Sequence, residues 1–314
     1  MESVVSEQQA SDSALTQPEV PAVADKVAAV IVSYHPELGN LRTLLQELKN
    51  QNIPSVLVDN GSLNSEVVNQ LQEIATVVRL DDNLGIARAQ NIGIEQAHQI
   101  HQAELIVFFD QDSRIDDHFI AGLLHDYHQV SASNKIAAIG PVFTDSRYGF
   151  YYPLIKVNRF GWRNKINPQQ KKNPFEVSMI ISSGSLIPMS ALKDIGMMNE
   201  TLFIDYVDTE WCLRAVAKGY KIYAATSARM SHAIGDRAIK LLAWHIPMHS
   251  AFRRYYRLRN GLYLCKMPHI PLLVKVRENI FNSLHQTLLV LTQPNKKTHL
   301  ATWYRAFKDG ICLK

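Results

Sequence analysis

From Val27 to Tyr127 the chain alternates two patterns of apolar positions. One is a short continuous run: Val27 to Tyr34, Ser55 to Val58, Thr76 to Leu80, and Leu105 to Phe109. Runs of this length, rich in β-branched and aromatic residues, read as strands buried on both faces. The other pattern repeats every three to four positions. Leu41, Leu44, Leu45 and Leu48 mark one helix, with Asn40 the expected N-cap. Residues 64–74 form a second, and 86–101 a third with Ala89, Ile92, Gly93, Ala97 and Ile100 on one stripe. Ile120, Leu123, Leu124 and Tyr127 mark a fourth. Such a βαβ succession predicts a mostly parallel sheet with helices on both faces.

The second half is less regular. Ile136 to Phe143 reads as a strand, and Arg147 to Pro174 has no period, which suggests a lid or binding loop. Val177 to Met189 reads as strand and turn, with Ser190 capping a short helix. Asp205 to Trp211 is expected to open a helix that Gly219 closes, and Tyr220 to Ala225 to be a strand. From about Leu241 helical patterns dominate. The predicted organisation is a leader over 1–25, an α/β domain over 26–240 and a basic helical region over 241–314.

Polar residues stand where the early strands end: Ser33-Tyr34, Asp59-Asn60 and Asp110-Gln111-Asp112. Ligands of open α/β sheets bind beyond the carboxyl ends of the strands, so these should converge on one crevice. Asp110 and Asp112, one residue apart, repel each other unless a cation or a proton lies between them. A hard divalent metal beneath a phosphate-bearing substrate fits that pair; acids chosen for turn propensity are the competing reading. No Gly-x-Gly-x-x-Gly and no Gly-Lys-Ser/Thr loop occurs, which argues against a dinucleotide enzyme or a Walker ATPase.

Composition narrows the class. With 46% hydrophobic and 20% charged residues the chain is an ordinary globular one. No apolar run of roughly 18 residues suggests a transmembrane helix, and Glu2, Glu7 and Asp12 do not suit a signal peptide. Residues 1–25, rich in Ser, Gln, Glu, Ala and Pro, read as a flexible leader. Cys212, Cys265 and Cys312 form neither a disulfide framework nor a zinc pattern, which fits a reducing cytoplasm. The net charge of +4 hides an asymmetry: from Asp236 onward there are fourteen Lys and Arg against three Asp and Glu. That excess suggests an anionic partner, or a solvated helical face.

Other candidate chemistry is less specific. Asp205, Asp208 and Glu210 could be catalytic, or could serve the macrodipole of a first helical turn, and Glu210 has Arg214 as an i,i+4 partner. His232 is isolated. His245 and His249 have metal-like spacing broken by Pro247, while His98/His101 and His125/His128 read as helix-surface pairs. The basic-aromatic run from His249 to Asn260 suits phosphate binding, base stacking, a membrane surface or a plain basic helix.

Taken in order, Val30-Ile31-Val32-Ser33-Tyr34, Val58-Asp59-Asn60-Gly61-Ser62, Asn83-Leu84-Gly85-Ile86-Ala87 with Asn91, and Phe109-Asp110-Gln111-Asp112 resemble inverting glycosyltransferases of family two. Phe203 to Trp211, His232-x-x-Gly235 and Phe252-Arg253-Arg254-Tyr255-Tyr256 extend the resemblance, most closely to bacterial rhamnosyltransferases of surface polysaccharide synthesis. The resemblance spans about 27–265 and implies a GT-A fold, a Rossmann-like, mixed, mostly parallel sheet flanked by helices. It implies that Asp59 recognises the nucleobase with Ser33 and Tyr34, and that Asn83, Gly85 and Ala87 lie along the nucleotide. Asn60, Asn91, Gln111 and Arg254 complete the expected donor contacts. Asp110 and Asp112, with His232, would hold Mg²⁺ or Mn²⁺ on the diphosphate. Asp208 matches the general base, although Val207 stands where an acid is commoner, which leaves Asp205 as its rival.

The implied reaction is one inverting displacement: the leaving diphosphate is stabilised while the base takes a proton from the acceptor hydroxyl. The expected donor is dTDP-L-rhamnose, with UDP-galactofuranose and UDP-glucose as alternatives. The expected acceptor is a saccharide or lipid-linked saccharide. The expected setting is the cytoplasm, with peripheral contact to the anionic inner membrane and no nucleic acid. A nucleotide-sugar binding module without activity and a nucleic-acid binder using the basic tail are the readings from other classes.

Overall fold

The computed structural model describes residues 25–145, 149–232, 238–241, 244–247 and 250–313; over 232–249 it describes backbone alone. The expected leader, but for Asp25, and Gly235 lie outside the described residues.

The early alternation is present as β1 (Val27–Ser33), α1 (Leu38–Asn50), β2 (Ser55–Asp59), α2 (Ser65–Leu71), β3 (Thr76–Arg79), α3 (Ile86–His101), β4 (Leu105–Asp110) and α4 (Phe119–Ser131). Alternate residues of each strand enter opposite cores. Val30, Val56 and Phe108 face one, and Ile31, Leu57 and Phe109 face the other. Helix α3 lies so close to β1 that a Cβ on Gly93 would come within 2.4 Å of the Val30 side chain. The cap of α1 differs from expectation. Glu37, not Asn40, is the N-cap, and its carboxylate accepts from the Gly39 and Asn40 amides.

The later elements are β5 (Ile136–Asp145), β6 (Leu154–Val157), β7 (Arg163–Ile166), β8 (Phe175–Val177), β9 (Leu186–Pro188), α5 (Met189–Ile195), α6 (Val207–Ala217), β10 (Lys221–His232), β11 (Ala238–Leu241), β12 (Trp244–Pro247), α7 (Ala251–Leu264), α8 (Leu272–Thr292) and α9 (Lys296–Cys312). The aperiodic stretch holds an antiparallel hairpin, β6–β7. Its outer residues face water and its inner ones the cleft, so no long apolar stripe betrays it. The short fifth helix begins at Met189 after Pro188 rather than at a Ser190 cap. Residues 238–247 pair as β11–β12, and helix resumes at Ala251.

The main sheet has the order β3-β2-β1-β4-β9-β5-β10-β8. Strands β1 to β4 are parallel, as are β5 and β10, while β9 and β8 run against their neighbours. Three-residue β9 therefore joins the two halves of the sheet. Because β4, β5 and β10 share a direction, Asp110, Asp145 and His232 all stand at the end where β1 and β2 finish.

Candidate active site

A cleft of about 1180 Å³ opens at that end of the sheet. Tyr34, Asn60, Asn83, Gly85, Asp110, Gln111, Asp205 and Asp208 all line it, so most of the polar residues singled out in the sequence do converge. Asp59 and Ser33 lie just behind the wall and are fully buried. The Asp59 carboxylate accepts from the Ser62 and Leu63 amides at 2.9 Å, from Ser62 Oγ at 2.6 Å and from Ser33 Oγ at 3.4 Å. Those donors satisfy the buried side-chain oxygens, and they hold the turn after β2. Asn60 then reaches across: its Nδ2 donates to Asn83 Oδ1 at 3.0 Å, and its Oδ1 accepts from the Leu84 amide at 2.8 Å. The Tyr34 amide donates to Gln111 Oε1 at 2.6 Å, tying the end of β1 to the turn after β4.

That turn is built by Ser113. Its Oγ accepts from the Asp110 amide at 3.1 Å and meets Ser183 Oγ at 2.7 Å. Asp110 faces the cleft, whereas Asp112 is exposed and does not line it. Among the described residues no three His, Cys, Asp or Glu side chains form a metal-sized group. The two carboxylates still suit a hard cation, which takes one or two carboxylates and leaves its other positions to phosphate and water. The backbone of His232 pairs with Asp145 at the same sheet edge, and its side chain lies outside the described residues.

The opposite wall is a strained loop. Phe203, Asp205 and Tyr206 have φ of 64°, 61° and 66°, a left-handed conformation that costs of order 1–3 kcal/mol per non-glycine residue. The expectation that the helix opens at Asp205 fails here, because α6 begins only at Val207. Helix α7 holds the loop. Asn260, fully buried, donates to the carbonyls of Leu202 and Ile204 at 2.8 Å and of Asp205 at 3.1 Å. Arg259 bonds the carbonyls of Thr201 and Leu202. Phe203 stacks on Tyr256 with centroids 4.5 Å apart.

The three acids of this segment have separate environments. The Asp205 side chain is only 4% exposed and is held by Arg253 at 3.2 Å and Arg257 at 3.3 Å. Asp208 lines the cleft, and burial pushes its carboxyl above the ordinary range. The Asp205 charge pushes the same way, against backbone donors at Thr209 and Ser182. Glu210 points inward. Burial alone would raise its carboxyl, but hydrogen bonds from His269 and Arg214 reverse this and leave it below the usual value. The i,i+4 pair with Arg214 is made at 2.9 Å, so Glu210 anchors α6.

Besides Ser33 and Asp59, three expected donor contacts do not reach the cleft. Arg254 is fully buried between helices, bonded to Gln286 Oε1 at 3.1 Å and to the Asn282 carbonyl at 3.0 Å. Asn91 is spent on the amide and carbonyl of Met198, and Ala87 is packed under the Phe203 carbonyl. The cationic groups that do line the cleft are Arg163, Arg253 and Arg257. The i,i+4 spacing of Arg253 and Arg257 could have separated them from Arg254, whose face continues to buried Leu258 and Gly261. Arg163 could not have been found, since it depends on the β6–β7 hairpin. It bonds Glu278 at 2.7 Å, and Glu278 also accepts from Tyr206 Oη at 2.9 Å.

Residues 29–196 match the family described as glycosyl transferase family 2. The chain is also 44% identical over 287 residues to "dTDP-rhamnosyl transferase RfbF" of Shigella flexneri, covering 91% of this chain and 95% of that protein. The chain belongs to glycosyltransferase family two. Two solved structures share its fold. One is S. aureus TarS 1-349, with a TM-score of 0.55 and 14% identity over 91% of this chain and 80% of that one. The other is GalNAc-T7 with UDP, GalNAc and Mn²⁺, with a TM-score of 0.53 and 14% identity. The match covers 86% of this family-two transferase but only 58% of the GalNAc-T7 chain. The expected GT-A fold, a mostly parallel sheet flanked by helices with helices following at the C-terminus, is thereby present.

Proposed function

We propose that this glycosyltransferase moves L-rhamnose from dTDP-L-rhamnose to a saccharide acceptor, free or lipid-linked, in one inverting displacement in the cytoplasm. The 44% identity to an enzyme named as a dTDP-rhamnosyl transferase, sustained over nearly all of both chains, carries the choice of donor. The cleft is consistent with it: Ile180, Ile181 and Val207 line it beside Asp208, and apolar side chains suit the methyl group of a 6-deoxy sugar.

Asp208 acts as the general base. A carboxylate whose pKa is raised by burial holds a proton better than an ordinary one, and it stands at the cleft with, among the described residues, no guanidinium against it. Asp205 is the poorer base, since Arg253 and Arg257 occupy its carboxylate oxygens. Arg253 and Arg257 face the cleft and would meet the departing diphosphate, the role first expected of Arg254. Asp110 and Asp112 would hold Mg²⁺ or Mn²⁺, which supplies electrostatic stabilisation of that leaving group. Asn60, Asn83, Gly85, Tyr34 and Gln111 would take the nucleoside, and Asp59 fixes the turn that presents Asn60.

A donor panel tests the reading. Incubation with dTDP-L-rhamnose, UDP-galactofuranose and UDP-glucose should release dTDP and neither UDP product in quantity. Thermal stabilisation by dTDP with Mn²⁺ should be lost in Asp112→Ala. The absence of a shift with any nucleoside diphosphate would sink the enzyme reading.

A further inference from the structure

Helix α8 carries apolar residues on the side turned away from the rest of the chain. It buries Val274, Asn282, Gln286 and Leu289 against the rest of the chain. Its outward side carries Val276, Ile280, Leu284 and Leu291, each between 46% and 67% exposed. From Asn279 to Asn295 the sequence has no Asp, Glu, Lys or Arg. An apolar stripe left on the outward side of a helix belongs against another apolar phase rather than in water. Its neighbour α9 repeats the feature: it buries Ala306 and Gly310, while Leu300, Tyr304, Phe307 and Ile311 recur every three to four residues and are at least half exposed.

The charges around these stripes are of one sign. Lys275, Arg277, Lys296, Lys297, Arg305 and Lys308 stand on the two helices. The two carboxylates there are Glu278, engaged by Arg163 and Tyr206, and Asp309, bonded to Tyr255. A second copy docked on this face about a two-fold axis would set basic residues against basic residues. An anionic lipid surface complements both the charge and the apolar stripes. Among the described residues no helix is long and apolar enough to cross a membrane, so the fitting geometry is a helix lying on one.

We propose that the outward faces of α8 and α9 seat this transferase on an anionic phospholipid bilayer. The apolar stripes enter the boundary between headgroups and acyl chains, and the lysines and arginines meet the lipid phosphates. Contact of this kind differs from the purely electrostatic attachment that charge alone suggests, because part of it is indifferent to salt.

Flotation of the full chain with phosphatidylcholine vesicles containing about 30% phosphatidylglycerol tests the proposal. The protein should float at low salt and keep a bound fraction at about 1 M salt. Ile280→Glu with Leu284→Glu should lower the bound fraction about tenfold without altering the melting transition. Phe307→Glu, on the separate stripe of α9, should weaken flotation as well and serves if the double variant does not fold. Wild-type protein that stays unbound at low salt overturns the proposal, as does flotation unchanged in the variants. A wild-type dimer that the double variant converts to monomer, with no flotation by either, overturns it in favour of a second copy. Flotation requires no turnover, so a negative result leaves the rhamnosyltransferase reading untouched.

Discussion

Asp205 and Asp208 stand three residues apart, yet their surroundings suit them to different work. Two guanidiniums occupy the oxygens of Asp205, while burial makes Asp208 a better proton acceptor. Asp208→Asn should keep thermal stabilisation by dTDP and lose roughly 10²–10⁴-fold in transfer rate, the usual worth of a positioned base. A base works only when deprotonated. The rate should therefore be full above the raised pKa of Asp208 and fall as pH drops through it, with the acid limb above the ordinary carboxylate range. Asp205→Asn removes a negative neighbour and frees two cations, so it should move that limb to lower pH. The same substitution should cost about 1–3 kcal/mol of stability, less than a wholly buried pair because the arginines are partly in water. A pH profile of turnover together with a denaturant titration checks both; transfer surviving Asp208→Asn while Asp205→Asn is inactive would reverse the assignment.

The loop from Phe203 to Tyr206 owes its shape to neighbours rather than to its own sequence. Asn260→Leu should leave the carbonyls of Ile204 and Asp205 without this donor and cost about 2 kcal/mol or more. Turnover should fall further than nucleotide affinity, since the loop presents Asp208. Gly85 supports the same loop from the other side. Its φ is +84°, and an added Cβ would lie 2.6 Å from the Phe203 ring, so Gly85→Ala should destabilise by about 1–3 kcal/mol in a thermal melt. These contacts also mark where sequence reading stops. The strands and helices up to α4 were legible because each carries its own period of 2 or 3.6. The left-handed turn at Asp205 was not, since it is imposed by hydrogen bonds from a helix some fifty residues on. That Asp110, Asn83 and Asp208 line one cleft was legible because strand ends and helix starts fix where they point. The inward turn of Arg254 and the outward turn of Arg253 differ by one helical position, and the apolar neighbours of Arg254 were the available signal.

The whole molecule ties its C-terminal helices to the loop that lines its cleft more closely than a separate basic region would suggest. Helix α7 holds Leu202 to Asp205, and Glu278 of α8 joins Tyr206 to the β6–β7 hairpin. A chain ended at residue 249 should have no transferase activity and should be cut by protease within residues 200–206, where the intact protein resists. The sheet itself has a comparable dependence. Strand β9 has three residues and completes the pairing between β4 and β5, which bracket it on both sides. During synthesis β4 and β5 are made more than forty residues before β9, so each shows an unpaired apolar edge until the segment around Ile187 emerges. Newly made chains would then be open to pairing with one another over that interval. The order in which this protein is translated, as much as its final packing, sets how safely it reaches its native state.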